Sequence, residues 1–202
     1  TQIFMTELDT YLFGQGTHYE IYNKMGAHLA VKNGKEGVYF VVWAPKAKEV
    51  YVVGDFNDWR AYGYDMKPVS DGGVYELFVE GAKAGQCYKF LIISQDGEAL
   101  YKADPYANAA QLRPETASVI TDLTGFKWTD DKWVENKKKE DHLSSAMSIY
   151  ECHIGMAQEE ERVGTYDEFR RNVLPRIAAD GYNAIQIMAI QEHPYYGSFG
   201  YH

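Results

Sequence analysis

The stretch Val38-Tyr-Phe-Val-Val-Trp-Ala-Pro45, continued by Val50-Tyr-Val-Val-Gly-Asp-Phe-Asn-Asp-Trp59, decides the fold. Two apolar runs rich in β-branched and aromatic residues are interrupted at Ala44-Pro45-Lys46, the pattern of two strands joined by a turn. Pro45 has no amide to give to a ladder and stands at the break, where that loss is harmless. The second run stops at Gly54, and Asp55, Asn57 and Asp58 follow. Their short polar side chains hydrogen-bond nearby backbone and favour tight turns, which predicts a short rigid loop carrying Phe56 and Trp59. Trp59 then has two open roles, a cap over one end of the core or an exposed aromatic platform.

Downstream of this stretch the strands continue. Asp71-Gly-Gly73 is a hairpin-type turn leading into Val74–Glu80, with Tyr75, Leu77 and Val79 on one face. Gly81 to Gly85 turns the chain into Cys87–Ile93, Asp96-Gly97 turns it again, and Ser118–Thr121 is a last short strand. Short strands at this spacing, separated by Gly and Asp turns, predict an immunoglobulin-like antiparallel β-sandwich over residues 26–122, with a closed barrel as the alternative. Phe40, Val42, Val50, Val52, Tyr75, Leu77, Phe90 and Ile92 are its expected interior. Upstream, residues 1–25 hold clustered aromatics, expected to pack across something larger with a short helix.

Beyond the sandwich, residues 123–146 are dominated by charge and read as a linker anchored by Trp128 and Trp133. Residues 147–202 change class. Met147–Ile154 is strand-like, and Thr165-Tyr-Asp-Glu168 has the spacing of a capping box. Tyr166, Phe169, Val173, Leu174 and Ile177 recur at helical spacing up to Gly181, while Pro175 is expected to bend that helix or free a carbonyl. Ala184–Ile190 is a nearly continuous apolar run, as in a parallel strand covered on both faces. One βαβ unit cannot bury its own apolar surfaces, so this part reads as an incomplete start of a (β/α)8 barrel. The fold class is thus mostly β. Thr1 is not an initiator methionine, which suggests a chain beginning inside a longer gene product.

The totals narrow the function. Seventeen Tyr and four Trp among 202 residues suit both a strand-rich core and sugar binding, because flat rings pack on pyranose faces. A formal charge of −9 argues against a nucleic-acid partner. Lys137–Lys139 sits among Glu135, Glu140 and Asp141, as a solvated linker would. Cys87 and Cys152 match no metal or redox spacing and are expected as buried free thiols, which points to the cytoplasm. No apolar run reaches membrane-spanning length, and no metal or cofactor is implied.

Several of these segments carry a family resemblance. W-A-P…V-x-V-V-G-D-F-N-D-W resembles the sandwich module that precedes the catalytic barrel in enzymes remodelling α-1,4/α-1,6-glucans. Leu12-Phe-Gly…Gly-Thr-His-Tyr-Glu and Gly26-Ala-His28 resemble the entry to that module in glycogen branching enzymes, where His28 would be structural. Lys102-Ala-Asp-Pro-Tyr-Ala107 and Arg113-Pro-Glu-Thr-Ala-Ser-Val119 resemble further branching-enzyme segments. The strongest likeness is Tyr182–Tyr201, which resembles barrel strand two and its following loop in branching enzymes of the eukaryotic type, members of the α-amylase superfamily.

The resemblance implies an N-terminal portion of a 1,4-α-glucan branching enzyme, which cuts an α-1,4 chain and transfers it to a 6-hydroxyl to form an α-1,6 branch. Its partners would be α-glucan (glycogen, amylose or starch) and the remainder of the barrel. Retention requires two carboxyls about 5–5.5 Å apart, which in the family come from later barrel strands. No carboxylate pair here claims that role, so the 202-residue chain alone is expected to be inactive, and Glu192 is expected to brace its loop. On the active-site side, Tyr201 matches a tyrosine whose ring packs against the sugar at the cleavage point. His202 stands where the family has glutamine, as the protein's own residue or the start of a purification tag. His153 and His193 could face the same pocket. In the sandwich, Trp59 and Lys89 match sugar-contacting residues; from its own surroundings Lys89 reads as a lysine at the edge of an exposed face. The family's second tryptophan and asparagine are replaced by Glu98-Ala-Leu-Tyr101 and Ala117-Ser118, which implies weak binding or a scaffold role. A non-catalytic glucan-binding module and the N-terminal part of a related debranching enzyme are the alternatives.

Overall fold

The structure is a computed structural model that describes residues 4–191, 193 and 195–201. It contains two compact units, Thr1–Phe126 and Lys127–His202.

The first unit is built on two antiparallel sheets. One has the order β1-β2-β5-β4, formed by Gly26–Lys32, Lys35–Trp43, Val74–Glu80 and Lys67–Pro68. The other has the order β3-β6-β7, formed by Glu49–Gly54, Cys87–Ile93 and Ala99–Lys102, with β8 (Ser118–Val119) pairing the start of β6. The two opening strands therefore pair in different sheets, and the turn around Pro45 carries the chain from one to the other. Gly73 lies so close that a side chain there would strike the Pro45 backbone.

Alternation places Val38, Phe40 and Val42 of β2 and Val79 of β5 against Val50, Val52, Tyr88 and Phe90 of the facing sheet. The Phe40 and Tyr88 rings meet edge to face at 5.0 Å across the interior. Of the eight expected interior residues, five are buried and Tyr75, Leu77 and Ile92 pack partly buried at its margin. A polar network closes one side. The buried Tyr88 hydroxyl donates to Asp104 Oδ2 at 2.5 Å, the Tyr106 amide donates to Asp104 Oδ1, and the Asp104 amide donates to Ser118 Oγ. Burial raises the Asp104 carboxyl above the usual aspartate range, opposed by its hydrogen bonds from Tyr88 and Tyr106.

The outer face of β2 is covered as well. Helix α1 (Glu7–Gln15) is capped by Thr6 and Asp9, each bonding the other's backbone amide, and ends at Gly16 in the left-handed region. Met5 and Met25 pack on Val41 and Val74, Phe4 stacks on Tyr39 at 4.7 Å, and Phe13 meets Trp43 edge-on. The amides of Phe4 and Met5 donate to the Glu76 carboxylate. Burial works against ionised Asp9, but hydrogen bonds from His18, Thr6 and Lys24 outweigh it and hold the carboxyl well below the usual range.

In the second unit, β9 (Ile149–His153) and β10 (Ala184–Met188) pair in parallel. The connecting helix opens on the expected capping box: Thr165 and Glu168 bond each other's amides, and Arg162 grips Glu168, lowering its pKa to about 2. It runs as α3 (Tyr166–Glu168), a wider π turn over Phe169–Val173, and α4 (Leu174–Ala179). Pro175 sits in the first turn of α4, so the missing amide is absorbed by the wide turn before it. Cys152, Phe169 and Ile177 form a small core, while β10 stays half-buried. A further short helix, α2, spans Asp131–Lys137.

Both cysteines are free; Cys152 is buried, but Cys87 is only half-buried, because its side chain lies on the outer face of β6. No helix among the described residues is long and apolar enough to cross a membrane.

Candidate functional site

The loop after β3 is fixed from within. Asn57 clamps it, accepting from the Gly54 amide at 2.9 Å and donating to the Val52 carbonyl at 3.1 Å. Asp58 and Trp59 then take consecutive positive φ angles of 51° and 59°, a conformation that non-glycine residues adopt only when their surroundings hold them there. The result divides the two aromatic residues. Phe56 turns inward onto Phe40 and Tyr64 and caps the core, whereas Trp59 stays 39% exposed. The capping role considered for Trp59 belongs to Phe56.

Asp55 is the joint between this loop and the neighbouring strand. Its Oδ1 accepts from the Trp59 indole at 3.1 Å and its Oδ2 from the Cys87 amide at 2.7 Å. Lys89 lies two residues along β6 from Cys87, on the same outward face, opposite Val53 in the register. Its ammonium donates to Thr116 Oγ1 at 2.6 Å. The indole, the ammonium and a threonine hydroxyl thus sit on one side of one sheet. The Cys87 thiol on this face is pushed up by burial and by the Asp55 charge, so it stays protonated. Sequence reading marked Asp55 as a turn former and passed over Thr116; the loop connectivity that makes Thr116 the partner of Lys89 leaves no local signal.

Tyr101 of β7 is also on this outer face, 56% exposed, and pairs across from Leu91, which pairs in turn with Tyr51. At the positions of the missing asparagine, Ala117 and Ser118 are buried.

In the second unit, a cavity of about 380 Å³ opens beyond the carboxyl end of β10, lined by Glu151, Met188, His193, Phe199 and Tyr201 among others. Tyr201 is 89% exposed. His193 donates from Nδ1 to the Gln191 carbonyl at 2.8 Å and stacks on Tyr196. The His153 ring packs against Tyr196 and Phe199, and neither of its nitrogens, nor His193 Nε2, has a hydrogen-bond partner among the described residues. Of the two, His193 lines the cavity. Glu192 and His202 lie outside the described residues.

Residues 24–107 match carbohydrate-binding module 48, the isoamylase N-terminal domain family. In fold, the chain is similar to a putative α-amylase from Salmonella typhimurium (TM-score 0.60, 23% identity, 85% of this chain and 25% of that one). It is also similar to a pullulanase from Bacillus acidopullulyticus (TM-score 0.60, 20% identity, 84% and 22%). Residues 24–107 of the first unit therefore carry the likeness to carbohydrate-binding module 48, and the βαβ unit of the second follows in sequence.

The particular relationship is closer than the fold. The chain is 48% identical to the 1,4-alpha-glucan branching enzyme GlgB of Butyrivibrio fibrisolvens over 99% of this chain and 32% of that protein. It is 44% identical to that of Bacillus cytotoxicus over 91% and 29%, and 37% identical to that of Thermosynechococcus vestitus over 98% and 29%. These relatives are bacterial, whereas the motif resemblance pointed to the eukaryotic type. The chain corresponds to the N-terminal part of 1,4-alpha-glucan branching enzymes and spans about a third of the length of the curated relatives it matches.

Proposed function

We propose that the chain works as the N-terminal part of an enzyme that builds α-1,6 branches into an α-1,4-glucan such as glycogen, in the cytoplasm. The observation that carries this reading is identity of 36–48% to branching enzymes along nearly the whole chain, rather than over the sandwich alone. Debranching relatives are the nearest competitor, and the solved pullulanase falls to 20% identity.

On this reading the immunoglobulin-type sandwich of residues 26–122 holds glucan and residues 147–202 open the catalytic barrel, with residues 123–146 between them. Trp59 offers a flat apolar ring, and Lys89 and Thr116 offer donors and acceptors to sugar hydroxyls. Because the face is shallow and carries one tryptophan, a few contacts of about 1 kcal/mol each give affinity in the millimolar range. Tyr201 would pack its ring against the sugar at the cleavage point, with His193 beside it. The two reacting carboxyls would come from later barrel strands.

The test is the open reading frame around these residues, expressed whole. Loss of iodine colour from amylose with new α-1,6 linkages supports the proposal; release of linear chains from branched glucan would establish a debranching enzyme instead. A stop codon after residue 202 together with glycogen binding would establish a stand-alone module.

A further inference from the structure

Along one edge of the sandwich, residues 61–68 run beside β3 and leave a groove of about 860 Å³. Backbone bonds hold its walls: the Met66 amide donates to the Val50 carbonyl at 2.8 Å, the Val52 amide to the Tyr64 carbonyl at 3.3 Å, and Tyr51 bridges to Asp65. Three tyrosines line it, Tyr51, Tyr62 and Tyr75, and Tyr62 is 97% exposed. Such a ring gains nothing from the fold it stands on.

The charges around these rings cancel. Lys48 and Lys67 face Glu49 and Asp65, with Lys67 paired to Asp65 and the Tyr51 hydroxyl donating to Glu49 Oε2 at 2.7 Å. A charged ligand would meet as much repulsion as attraction there, and a purely apolar one would strand four charged groups away from water. A neutral polyhydroxyl ligand suits both features, since its flat faces stack on rings and its hydroxyls bond to carboxylates and ammonium groups. The volume lies in the ordinary range of small-ligand sites.

We propose that this groove is a second α-glucan contact surface on the sandwich. Neither Trp59 nor Lys89 lines it, and it meets the face that carries Lys89 only at its margin, through Tyr51. The inference rests on the reading that the sandwich meets α-glucan. Two weak contacts on one rigid body make the second binding event intramolecular, so a long polymer is held more tightly than a short oligosaccharide.

The test uses the 202-residue chain in native gels containing glycogen, comparing wild type, Trp59→Ala, Tyr62→Ala, Tyr62→Phe and the double alanine variant. Tyr62→Ala should melt with wild type and bind glycogen about three- to tenfold more weakly, the loss expected of one stacked ring. Tyr62→Phe should bind as wild type, and the double variant should bind more weakly than either single one. Tyr62→Ala migrating with wild type while Trp59→Ala loses retardation overturns the second groove and leaves the Trp59 face standing. Wild type that glycogen does not retard overturns both.

Discussion

Replacing Tyr88 by Phe isolates one bond of the network that pins residues 104–106 to the sandwich. The ring is fully buried, so Phe retains its packing and only the hydroxyl is lost. Asp104, 6% exposed, then keeps the Tyr106 amide and loses its other donor. A hydrogen bond to a charged group contributes about 1.5–3 kcal/mol, and that is the deficit expected at neutral pH if the carboxyl is ionised. The pH dependence follows from the raised Asp104 value. A carboxyl raised on folding contributes stability that is complete below the unfolded value near 3.8 and lost as pH rises through the folded one. Removing the donor raises the folded value further, so the loss in the variant runs to higher pH. Near pH 3 both carboxyls are protonated, and the deficit should shrink to the about 0.5–1.5 kcal/mol of a neutral hydrogen bond. Urea unfolding followed by circular dichroism at pH 3 and pH 7 measures both, and an Asp104→Asn background should remove the difference between them. An equal deficit at the two pH values, or none at pH 7, would refute the reasoning.

Trp59→Ala should destabilise the sandwich by far less than the about 3–5 kcal/mol of a core aromatic and should reduce retardation in glycogen gels, since the ring is partly exposed. Gly54→Ala places a methyl against the Cys87 carbonyl and 2.8 Å from the Phe56 ring, so thermal unfolding should show a loss of about 1–3 kcal/mol. Asp9 contributes stability above its unfolded value of 3.8 that is lost as pH falls below it; an Asp9→Asn variant should therefore show a flatter acid limb in its melting temperature. Residues 1–202 expressed by themselves should leave the iodine colour of amylose unchanged.

The strands were legible where β-branched and aromatic residues alternate, as in β2, β3 and β6, because each such strand presents one face to the interior. The strand at Gly26–Lys32 carries Gly, two Ala and a His in seven positions, and its pairing with β2 comes from register rather than composition. The turn at Pro45 announced a break and not its direction; passage to the other sheet is set by the twist and by Gly73 beneath it. At the candidate site, the Asx residues forecast a rigid loop. Which of Phe56 and Trp59 turns inward depends on the two left-handed residues at its end, and side-chain type says nothing of that. Lys89 fell on the expected face, but its partner comes from a segment 27 residues away. The capping box at Thr165 was readable because both its bonds are local, and Pro175 announced a disturbance whose form, a widened turn ahead of it, depends on the packing of Phe169.

The double burial of β2 bears on how this sandwich could be excised. The family match begins at residue 24, and a chain started there would look complete by sequence. It would lack Met5, Phe4 and Phe13, baring Tyr39, Val41 and Val74 on the outer face of the sheet, beside His28 of the edge strand. It would also deprive the Glu76 carboxylate of its two amide donors. Self-association through that bared sheet would slow migration in a gel with or without polysaccharide, and so imitate the sugar affinity such an excision was meant to measure.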